Sequence, residues 1–293
     1  MIIGIDGGGT KTKFCLYCAD GTLVDAITRP SCHFMQVSEL QMYDILSEGI
    51  HTLLSQCSSS TDVFVCAGLG GYGKNQEIRQ RIEAVFAKIL PNRNFYLCSD
   101  AEIAAAGALG GENGVVIISG TGSIVLSKEQ NTFYRAGGWG YLIGDEGSSF
   151  WIGRTALSVF SKQADGRLPK SILYESIKTF FALDDDYQLI SSIYHLEDYR
   201  GTVAQLARIV CDCAESGDEQ SLSIIDQAAR ELAAMVKAVP STSKKVSYVG
   251  GLFNAQHIIL GCLSKYLGEG YMLVPPIAPP EKGAYYLAKE VIS

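Results

Sequence analysis

The chain has 293 residues, and its 24 Lys and Arg against 31 Asp and Glu give a formal net charge of −7. Hydrophobic residues make up 47% of the chain and charged residues 19%, which is too apolar for an intrinsically disordered protein. An acidic balance argues against a protein that coats nucleic acid, and no run approaches the roughly 18 apolar residues of a membrane span. We therefore expect a folded protein of about two domains, with no nucleic-acid partner and no membrane segment.

The cysteines and the N-terminal residues both indicate a reducing compartment. Nine cysteines are an odd number for a disulfide framework, and the chain reaches an acid at Asp6 without the basic segment of a secretory signal. Cys15 and Cys18 form a C-x-x-C pair, but no second pair stands at zinc-ribbon spacing. We interpret these cysteines, like Cys211 and Cys213, as small apolar core residues of a cytoplasmic protein.

In chain order, the first predicted elements form a meander of strands with a glycine-rich turn. The apolar run 2–5 predicts a buried strand, which enters the turn DGGGTKT at 6–12 before a second strand at 14–17. Asp20 and Gly21 supply the next turn. The following pattern predicts, in order, a strand at 23–27, a helix at 40–54, a loop at 58–60, a strand at 63–67, a helix at 76–90, a strand at 95–98 and a helix at 101–109.

The pattern of strand and turn occurs a second time, about 110 residues after the first. An apolar run at 114–118 enters the turn SGTGS at 119–123, and another strand follows at 124–126. A loose internal repeat at this spacing indicates duplication of one α/β unit. Later residues predict, in order, helices at 155–162, 168–181, 184–192, 203–216 and 219–239, a strand at 246–249 ahead of Gly250 and Gly251, and a closing helix at 281–291.

Two α/β lobes flanking a shared cleft are the arrangement that this repeat predicts. We expect an N-terminal lobe over residues 1–110 and a C-terminal lobe with helical insertions over residues 111–293. The last helix is expected to be able to pack back on the N-terminal lobe.

The glycine-rich turns are suited to binding an anion. A turn without Cβ atoms lets backbone N–H groups converge on phosphate oxygens, and the hydroxyls of Thr10 and Thr12 with the cation of Lys11 add further donors. The spacing is neither that of a Walker A loop nor that of a G-x-G-x-x-G helix start. A tight hairpin with a structural Asp is the alternative for the first turn, but it does not account well for three such turns.

These three segments resemble the phosphate-1, phosphate-2 and adenosine motifs of the superfamily that contains actin, Hsp70 and the sugar kinases. Within it, the chain resembles the N-acetylglucosamine kinase and BadF/BadG/BcrA/BcrD ATPase family, also through Ser99-Asp100-Ala101 and through GGWGYLIGDEGS at 137–148. The resemblance covers nearly the whole chain. It implies an α/β fold of duplicated ribonuclease H-like, actin-like ATPase lobes flanking a nucleotide cleft, with ATP and Mg²⁺ bound.

The resemblance also implies roles for individual residues. Asp6, at the end of the first strand, would hold Mg²⁺ directly or through water, because Mg²⁺ prefers oxygen ligands. Asp100 would be the catalytic base; the alternative is an N-cap of the helix that follows, where the helix N-terminus tends to lower the pKa of a carboxyl. The nucleotide-binding residues implied are Gly8, Gly9, Thr10, Lys11, Thr12, Gly120, Thr121, Gly122, Gly250 and Gly251.

The Gly/Trp/acid segment at 137–148 is the most specific part of the resemblance and implies a sugar-binding loop. A carboxylate suits sugar recognition because its two oxygens accept hydrogen bonds from neighbouring hydroxyls. The alternative for this loop is a helix-capping Asp145 and a core Trp139. The sugar-binding residues implied are Asp100, Thr121, Gly138, Trp139, Gly140 and Asp145.

We therefore predict an ATP-dependent kinase that phosphorylates a hydroxyl of an amino sugar, with N-acetylglucosamine as the first expectation and a homodimer left open. Cys32 stands where the family often has an Asn that reads the acetamido group, which puts that hydrogen bond in doubt, and His33 beside it is interpreted as a polar loop residue. The alternative is a BadF/BadG-type ATPase that activates a dehydratase through an iron–sulfur cluster. It lacks support because no cysteine occurs between Asp100 and Cys211.

Overall fold

The computed structural model describes residues 1–58, 62–254 and 257–292. Part of the loop predicted at 58–60 lies outside the described residues. Two compact units are present: the first comprises Met1–Asn113, Lys128–Phe133 and Pro275–Ser293, and the second comprises Gly114–Ser127 and Tyr134–Val274. In the part of the chain that is described, no helix is long and apolar enough to cross a membrane.

Strands and helices alternate along much of the chain. The strands are β1 (Ile2–Gly7), β2 (Lys11–Tyr17), β3 (Leu23–Pro30), β4 (Phe64–Leu69), β5 (Phe95–Ser99), β6 (Gly114–Ser119), β7 (Ser123–Glu129), β8 (Thr132–Gly137), β9 (Lys245–Val249) and β10 (Met272–Val274). The helices are α1 (Glu39–Leu54), α2 (Gln76–Ile89), α3 (Asp100–Leu109), α4 (Ser149–Ala164), α5 (Ile172–Phe181), α6 (Gln188–Tyr194), α7 (Tyr199–Glu215), α8 (Glu219–Ala238), α9 (His257–Leu267) and α10 (Pro280–Ile292).

The two sheets have the same strand order. In the first sheet the order is β3-β2-β1-β4-β5, with β1 antiparallel to β2 and parallel to β4, and with β4 parallel to β5. In the second sheet the order is β10-β9-β6-β7-β8, with β9 parallel to both β6 and β10. Each sheet therefore places its own strands in the order third, second, first, fourth, fifth. This confirms the predicted α/β fold built by duplication.

Helices cover both faces of the first sheet. Residues of a strand alternate between faces, so Ile3 and Ile5 of β1 pack on one side with Leu46 and Ile50 of α1. Ile2 lies on the other side, in a second cluster that includes residues of α3 and α10. The first unit thus has a sheet buried on both faces, and its C-terminal helix α10 packs against α3 and β1.

The second unit has a larger helical part around its sheet. Its core cluster joins Ile117 of β6 to Ile152 of α4, Val210 of α7, Ile225 of α8 and Ile259 of α9, all of them buried. The apolar periodicity of these helices predicted most of them. Three elements were not predicted: β8, whose side chains are largely exposed, the helix α9, and β10, which is only three residues long.

Two helical glycines of the second unit differ in the space around them. Gly153 of α4 lies against α7, where a Cβ atom would come within 2.0 Å of the carbonyl oxygen of Val203. Gly261 of α9 has no described atom within 4 Å of the position that a Cβ would take. The close backbone of α7 therefore requires glycine at position 153, whereas no such contact requires it at position 261.

This difference predicts opposite effects of the same substitution. Gly153→Ala is expected to lower the free energy of unfolding by about 1–3 kcal/mol, because α4 and α7 have to separate. Gly261→Ala is expected to raise it by up to about 1 kcal/mol, because Ala favours the helix and meets nothing. Denaturant unfolding of both variants beside the natural protein measures the two changes. Equal effects of the two substitutions would contradict the close packing of α4 on α7.

Candidate active site

Two acids of the first unit lie at the same edge of its sheet. Asp6 is near the end of β1, where it pairs with Gly68 of β4, and Gly68 in turn pairs with Cys98 of β5. Asp100 follows β5 directly. Because β1, β4 and β5 are parallel, their carboxyl ends meet at one edge, which is where ligands commonly bind in α/β sheets. The order of the strands thus brings together acids that are far apart in the sequence.

Ser99, and not Asp100, caps helix α3. The Ser99 hydroxyl accepts a hydrogen bond from the Glu102 N–H at 3.2 Å, and the Ser99 N–H donates to the Glu102 carboxylate at 2.6 Å. This reciprocal pair is a capping box. Asp100 is the first helical residue, and its Oδ1 accepts from the Ala101 N–H at 2.9 Å. The alternative that Asp100 is the N-cap is wrong.

The pKa of Asp100 is raised above its ordinary value, and burial is the largest cause. The hydrogen bond from the Ala101 N–H and the charge of His33 act in the opposite direction and do not outweigh it. The lowering expected from the helix N-terminus is therefore wrong, because desolvation of the carboxylate dominates. A raised pKa suits a carboxyl group that takes up a proton.

His33 is a residue whose position the sequence did not reveal. Its ring covers the loop after β4, where a Cβ on Gly70 would lie 2.6 Å from the His33 Cδ2 atom. Its Nδ1 accepts a hydrogen bond from the Met35 N–H at 3.2 Å, so the proton of the neutral ring is on Nε2. The interpretation as a polar loop residue thus omits its electrostatic effect on Asp100.

Asp6 has the more strongly perturbed carboxyl group. Burial, then the negative charges of Glu281 and Asp100, raise the pKa of Asp6 to about 6, while Lys11 and Lys13 act against them. Lys13 is the cross-strand neighbour of Asp6 and forms an ion pair with Glu281, which is only 5% exposed at the start of α10. The sequence analysis missed both residues of this pair. The alternation of β2 could have indicated Lys13, but nothing local indicates Glu281.

Asp6 is suited to be a ligand for a Mg²⁺ ion whose other ligands come largely from the substrate and water. Within the described residues there is no group of three or more His, Cys, Asp or Glu side chains that could hold a metal by itself. Mg²⁺ commonly takes one or two carboxylates, with phosphate oxygens and water completing its octahedron. A single strand-end carboxylate is therefore a sufficient protein ligand. An iron–sulfur cluster needs several cysteine ligands close together, and the described residues contain no such group.

The first glycine turn exposes three of its predicted phosphate-binding residues. The Gly8 N–H donates to the Lys11 carbonyl at 3.1 Å and closes the hairpin between β1 and β2. Gly9, Thr10 and Lys11 are exposed around this hydrogen bond. Their backbone and side-chain donors are therefore accessible to an anion.

Thr12 differs from the prediction that its hydroxyl binds phosphate. It is fully buried, its Oγ1 donates to the Pro30 carbonyl at 2.9 Å, and the same oxygen accepts from the Cys32 N–H at 3.0 Å. Because strand residues alternate, Thr12 points away from the side of Lys11 and Lys13. Its hydroxyl holds the loop after β3 in place. Cys32 is itself buried, so its side chain is not exposed to a ligand.

The other two glycine turns lie together in the second unit. Gly120 follows β6 and Gly250 follows β9, and these strands are parallel neighbours whose ends are in register. Gly250 has a φ of 113°, and a Cβ there would be 2.2 Å from the Ser119 carbonyl oxygen. Only glycine tolerates both conditions. The next residue, Gly251, has no described atom within 4 Å of a Cβ position, so its backbone faces open space.

A cavity of about 680 Å³ adjoins these two turns. This volume is in the range of small-molecule sites. Its position beside the phosphate-2 and adenosine segments agrees with a nucleotide pocket in the second unit. The lining residues include Gly120, Thr121, Ser149, Gly201, Ala204, Gln205, Arg208, Gly251, Leu252 and Asn254.

The loop at 137–147 presents its tryptophan to solvent and buries its aspartate. Trp139 is 69% exposed and lies beneath the guanidinium of Arg135, so the alternative of a core tryptophan is wrong. The flanking Gly138 and Gly140 have φ values of 71° and 87°, which hold the loop in a shape that favours glycine.

Asp145 does not cap α4. The cap is Ser148, whose side chain accepts from the Trp151 N–H at 3.1 Å. Asp145 is 4% exposed, and its two oxygens accept from the Gly140 N–H and from Arg200 Nη2, each at 3.2 Å. The alternative of a capping Asp145 is therefore wrong, and its carboxylate instead joins the loop to helix α7.

The raised pKa of Asp6 predicts a pH-dependent effect on stability. The folded-state pKa of about 6 exceeds the unfolded value of about 3.9, so the contribution of this group is full below pH 4 and is lost as pH rises through 6. In metal-free buffer at pH 7, Asp6→Asn is expected to raise the free energy of unfolding by about 1–3 kcal/mol. The gain should vanish near pH 4. Unfolding measured at both pH values tests this, with Asp62→Asn at an exposed position as the matched control.

Comparison with known proteins agrees with this geometry. The BadF/BadG/BcrA/BcrD ATPase family matches residues 3–288. The N-acetylmuramic acid/N-acetylglucosamine kinase of Clostridium acetobutylicum is 32% identical, covering 97% of this chain and 95% of the relative. The N-acetyl-D-glucosamine kinase of Dictyostelium discoideum is 29% identical, with 98% and 97% covered. A solved structure of a candidate N-acetylglucosamine kinase from Chromobacterium violaceum has a TM-score of 0.77 at 26% identity, covering 98% of each chain. The chain therefore belongs to the BadF/BadG/BcrA/BcrD ATPase family.

Proposed function

We propose that this protein is an ATP-dependent kinase that transfers the γ-phosphoryl group to a hydroxyl of an amino sugar, with N-acetylglucosamine as the first candidate. The observation that carries the proposal is the partly buried Asp100 carboxyl, whose pKa is raised and which lies at the same edge of the sheet as Asp6, at the carboxyl ends of parallel strands. Both curated relatives described above are named as kinases of N-acetylated amino sugars.

In the proposed reaction, Asp100 accepts the proton of the sugar hydroxyl. The hydroxyl oxygen forms a bond to the γ-phosphorus, the bond from that phosphorus to the bridging oxygen breaks, and ADP leaves with the electron pair. Phosphoryl transfer needs mostly positioning and charge neutralisation, so the base orients the hydroxyl as much as it removes the proton. A positive charge on His33 would act against the rise in the pKa of Asp100 and so favour its ionised form.

Each unit has residues that are proposed to bind substrate. In the second unit, the cavity would hold adenosine, with Gly251 at its wall, Gly250 just before it in the chain, and the turn 120–122 on the phosphates. In the first unit, the residues Gly8 to Lys11 offer donors to phosphate, and Asp6 would hold Mg²⁺. Bound Mg²⁺ would neutralise charge on the phosphate oxygens.

The residues proposed to contact the sugar are Asp100 in the first unit and, in the second unit, the loop at 137–147, whose exposed Trp139 offers a flat apolar face. Thr121, Gly138, Gly140 and Asp145 complete the proposed set. Cys32 is buried, and so it does not supply the hydrogen bond that an Asn would give to an acetamido group. Because ATP is the donor, we propose a cytoplasmic location; a homodimer stays a prediction.

A panel of sugars tests the substrate class. ADP release is measured with glucose, glucosamine, N-acetylglucosamine and N-acetylmuramic acid, and with no sugar. We expect sugar-dependent turnover, with kcat/KM highest for N-acetylglucosamine. No stimulation by any sugar would sink the kinase assignment, and a preference for glucose over every amino sugar would contradict the substrate class.

Removal of the proposed base separates chemistry from binding. Asp100→Asn is expected to lower kcat at least about a hundredfold, because the amide cannot accept the hydroxyl proton. The affinity for ATP, measured by calorimetry, should be unchanged. Asp62→Asn is the matched control, since Asp62 is exposed ahead of β4. Activity near that of the natural protein in Asp100→Asn would remove Asp100 from the catalytic role.

A further inference from the structure

Arg200 stands at the glycine turn that follows β6. It is the second residue of helix α7, and a Cβ built on Gly122 would lie 2.9 Å from its Nη2 atom. The next residue, Gly201, lines the cavity of the second unit together with Gly120 and Thr121. The guanidinium is therefore placed at the turn that is proposed to hold phosphates. None of the sequence motifs included Arg200.

The guanidinium is held in its orientation from two sides. Its Nη2 donates to Oδ2 of the buried Asp145 at 3.2 Å, and its Cζ lies 5.3 Å from the centre of the Tyr141 ring. Asp145 is itself fixed, because its other oxygen accepts from the Gly140 N–H. The backbone of Asp145 has a φ of 57°, in the left-handed region that aspartate adopts more readily than most other non-glycine residues. The ion pair thus connects the glycine-rich loop to the turn.

Part of the hydrogen-bonding capacity of Arg200 is not used by the protein. A guanidinium has five N–H donors, and the buried Nε of Arg200 has no partner among the residues that the structure describes. The side chain as a whole remains 43% exposed, so other donors are open to a ligand. A buried unpaired donor is unfavourable unless a bound group satisfies it. An anion with several oxygens is the group that a guanidinium fits.

We propose that Arg200 binds the terminal phosphate of ATP, with Asp145 as its positioning residue. This inference rests on the proposed function, in which the turn 120–122 holds the phosphates. The guanidinium would donate hydrogen bonds to the γ-phosphoryl oxygens and stabilise the negative charge that they carry during transfer. No proton moves to or from it, because arginine stays charged. Asp145 then acts on ATP through Arg200 in addition to its proposed contact with the sugar.

The test compares ligands that differ only in their phosphates. Calorimetry measures the affinities for ATP and for adenosine in the natural protein, Arg200→Gln, Arg200→Lys and Asp145→Asn. Arg200→Gln is expected to weaken ATP binding at least about tenfold and to leave adenosine binding within about twofold, as for loss of a hydrogen bond to a charged group. Arg200→Lys should lose less ATP affinity than Arg200→Gln, because lysine keeps the positive charge but lacks the planar guanidinium.

A matched ion pair in the same unit supplies the control. Arg167 pairs with Asp165 at the end of α4, and both are exposed. Arg167→Gln removes an arginine from an Arg–Asp pair outside the cavity, and it should leave both affinities unchanged. Asp145→Asn is expected to fall between this control and Arg200→Gln for ATP.

The possible outcomes separate the inference from the proposed function. Equal losses of ATP and adenosine affinity in Arg200→Gln would show a structural role and overturn the inference. Unchanged ATP affinity with a raised KM for sugar would also overturn the inference, since Arg200 would then contact the sugar and not the phosphate. If Arg200→Gln does not fold, as judged by circular dichroism, Arg200→Lys replaces it, and its loss of ATP affinity is compared with its loss of adenosine affinity in the same way. A natural protein that binds no ATP at all would instead contradict the proposed function.

Discussion

The parallel pairing of strands is the constraint on which both candidate ligand regions depend. In the first unit it brings the ends of β1, β4 and β5 to one edge, and in the second it does the same for β6 and β9. Asp6 and Asp100 lie at the first edge, and Gly120 and Gly250 lie at the second. Because the strand order is duplicated, each unit forms one such edge from segments that are distant in sequence. The site residues therefore need only follow the ends of strands whose positions are already set by packing in the core.

Burial at a strand end has an electrostatic consequence that differs between the two acids. Burial and then the charges of Glu281 and Asp100 raise the pKa of Asp6 to about 6, whereas the charge of His33 partly offsets the effect of burial on Asp100. Groups with perturbed pKa values and distinct neighbours are typical of functional sites, where charge is tolerated at a cost in stability. A bound cation would relieve the unfavourable ionisation of Asp6, which agrees with the proposal that Asp6 is a ligand for Mg²⁺. Asp100 has less negative surroundings, which suits a group that gains and loses a proton.

Local chemistry explains what could be predicted from the sequence. The strand ends and their glycine turns are encoded in a few adjacent residues, so the fold, the duplication and the position of Asp100 after a strand were all accessible. The direction of the Asp100 pKa was not, since helix position is local and burial is set by packing. Glu281 joins the site only because α10 packs on the first sheet. The buried position of Thr12, by contrast, follows from simple alternation along β2 and could have been anticipated.

The glycines of the two sites divide into two kinds, and only one kind marks a ligand. At Gly250 and Gly122, protein atoms occupy the place of a Cβ, namely the Ser119 carbonyl oxygen and the side chains of the Asp145–Arg200 pair. Gly251 has open space at the same place, so a ligand can approach its backbone there. A cluster of glycines in a sequence is thus evidence for close approach of something to the backbone, and the structure decides what approaches. At Gly122 it is the Asp145–Arg200 ion pair, which links the packing of the glycine turn to the arginine that a phosphate would meet.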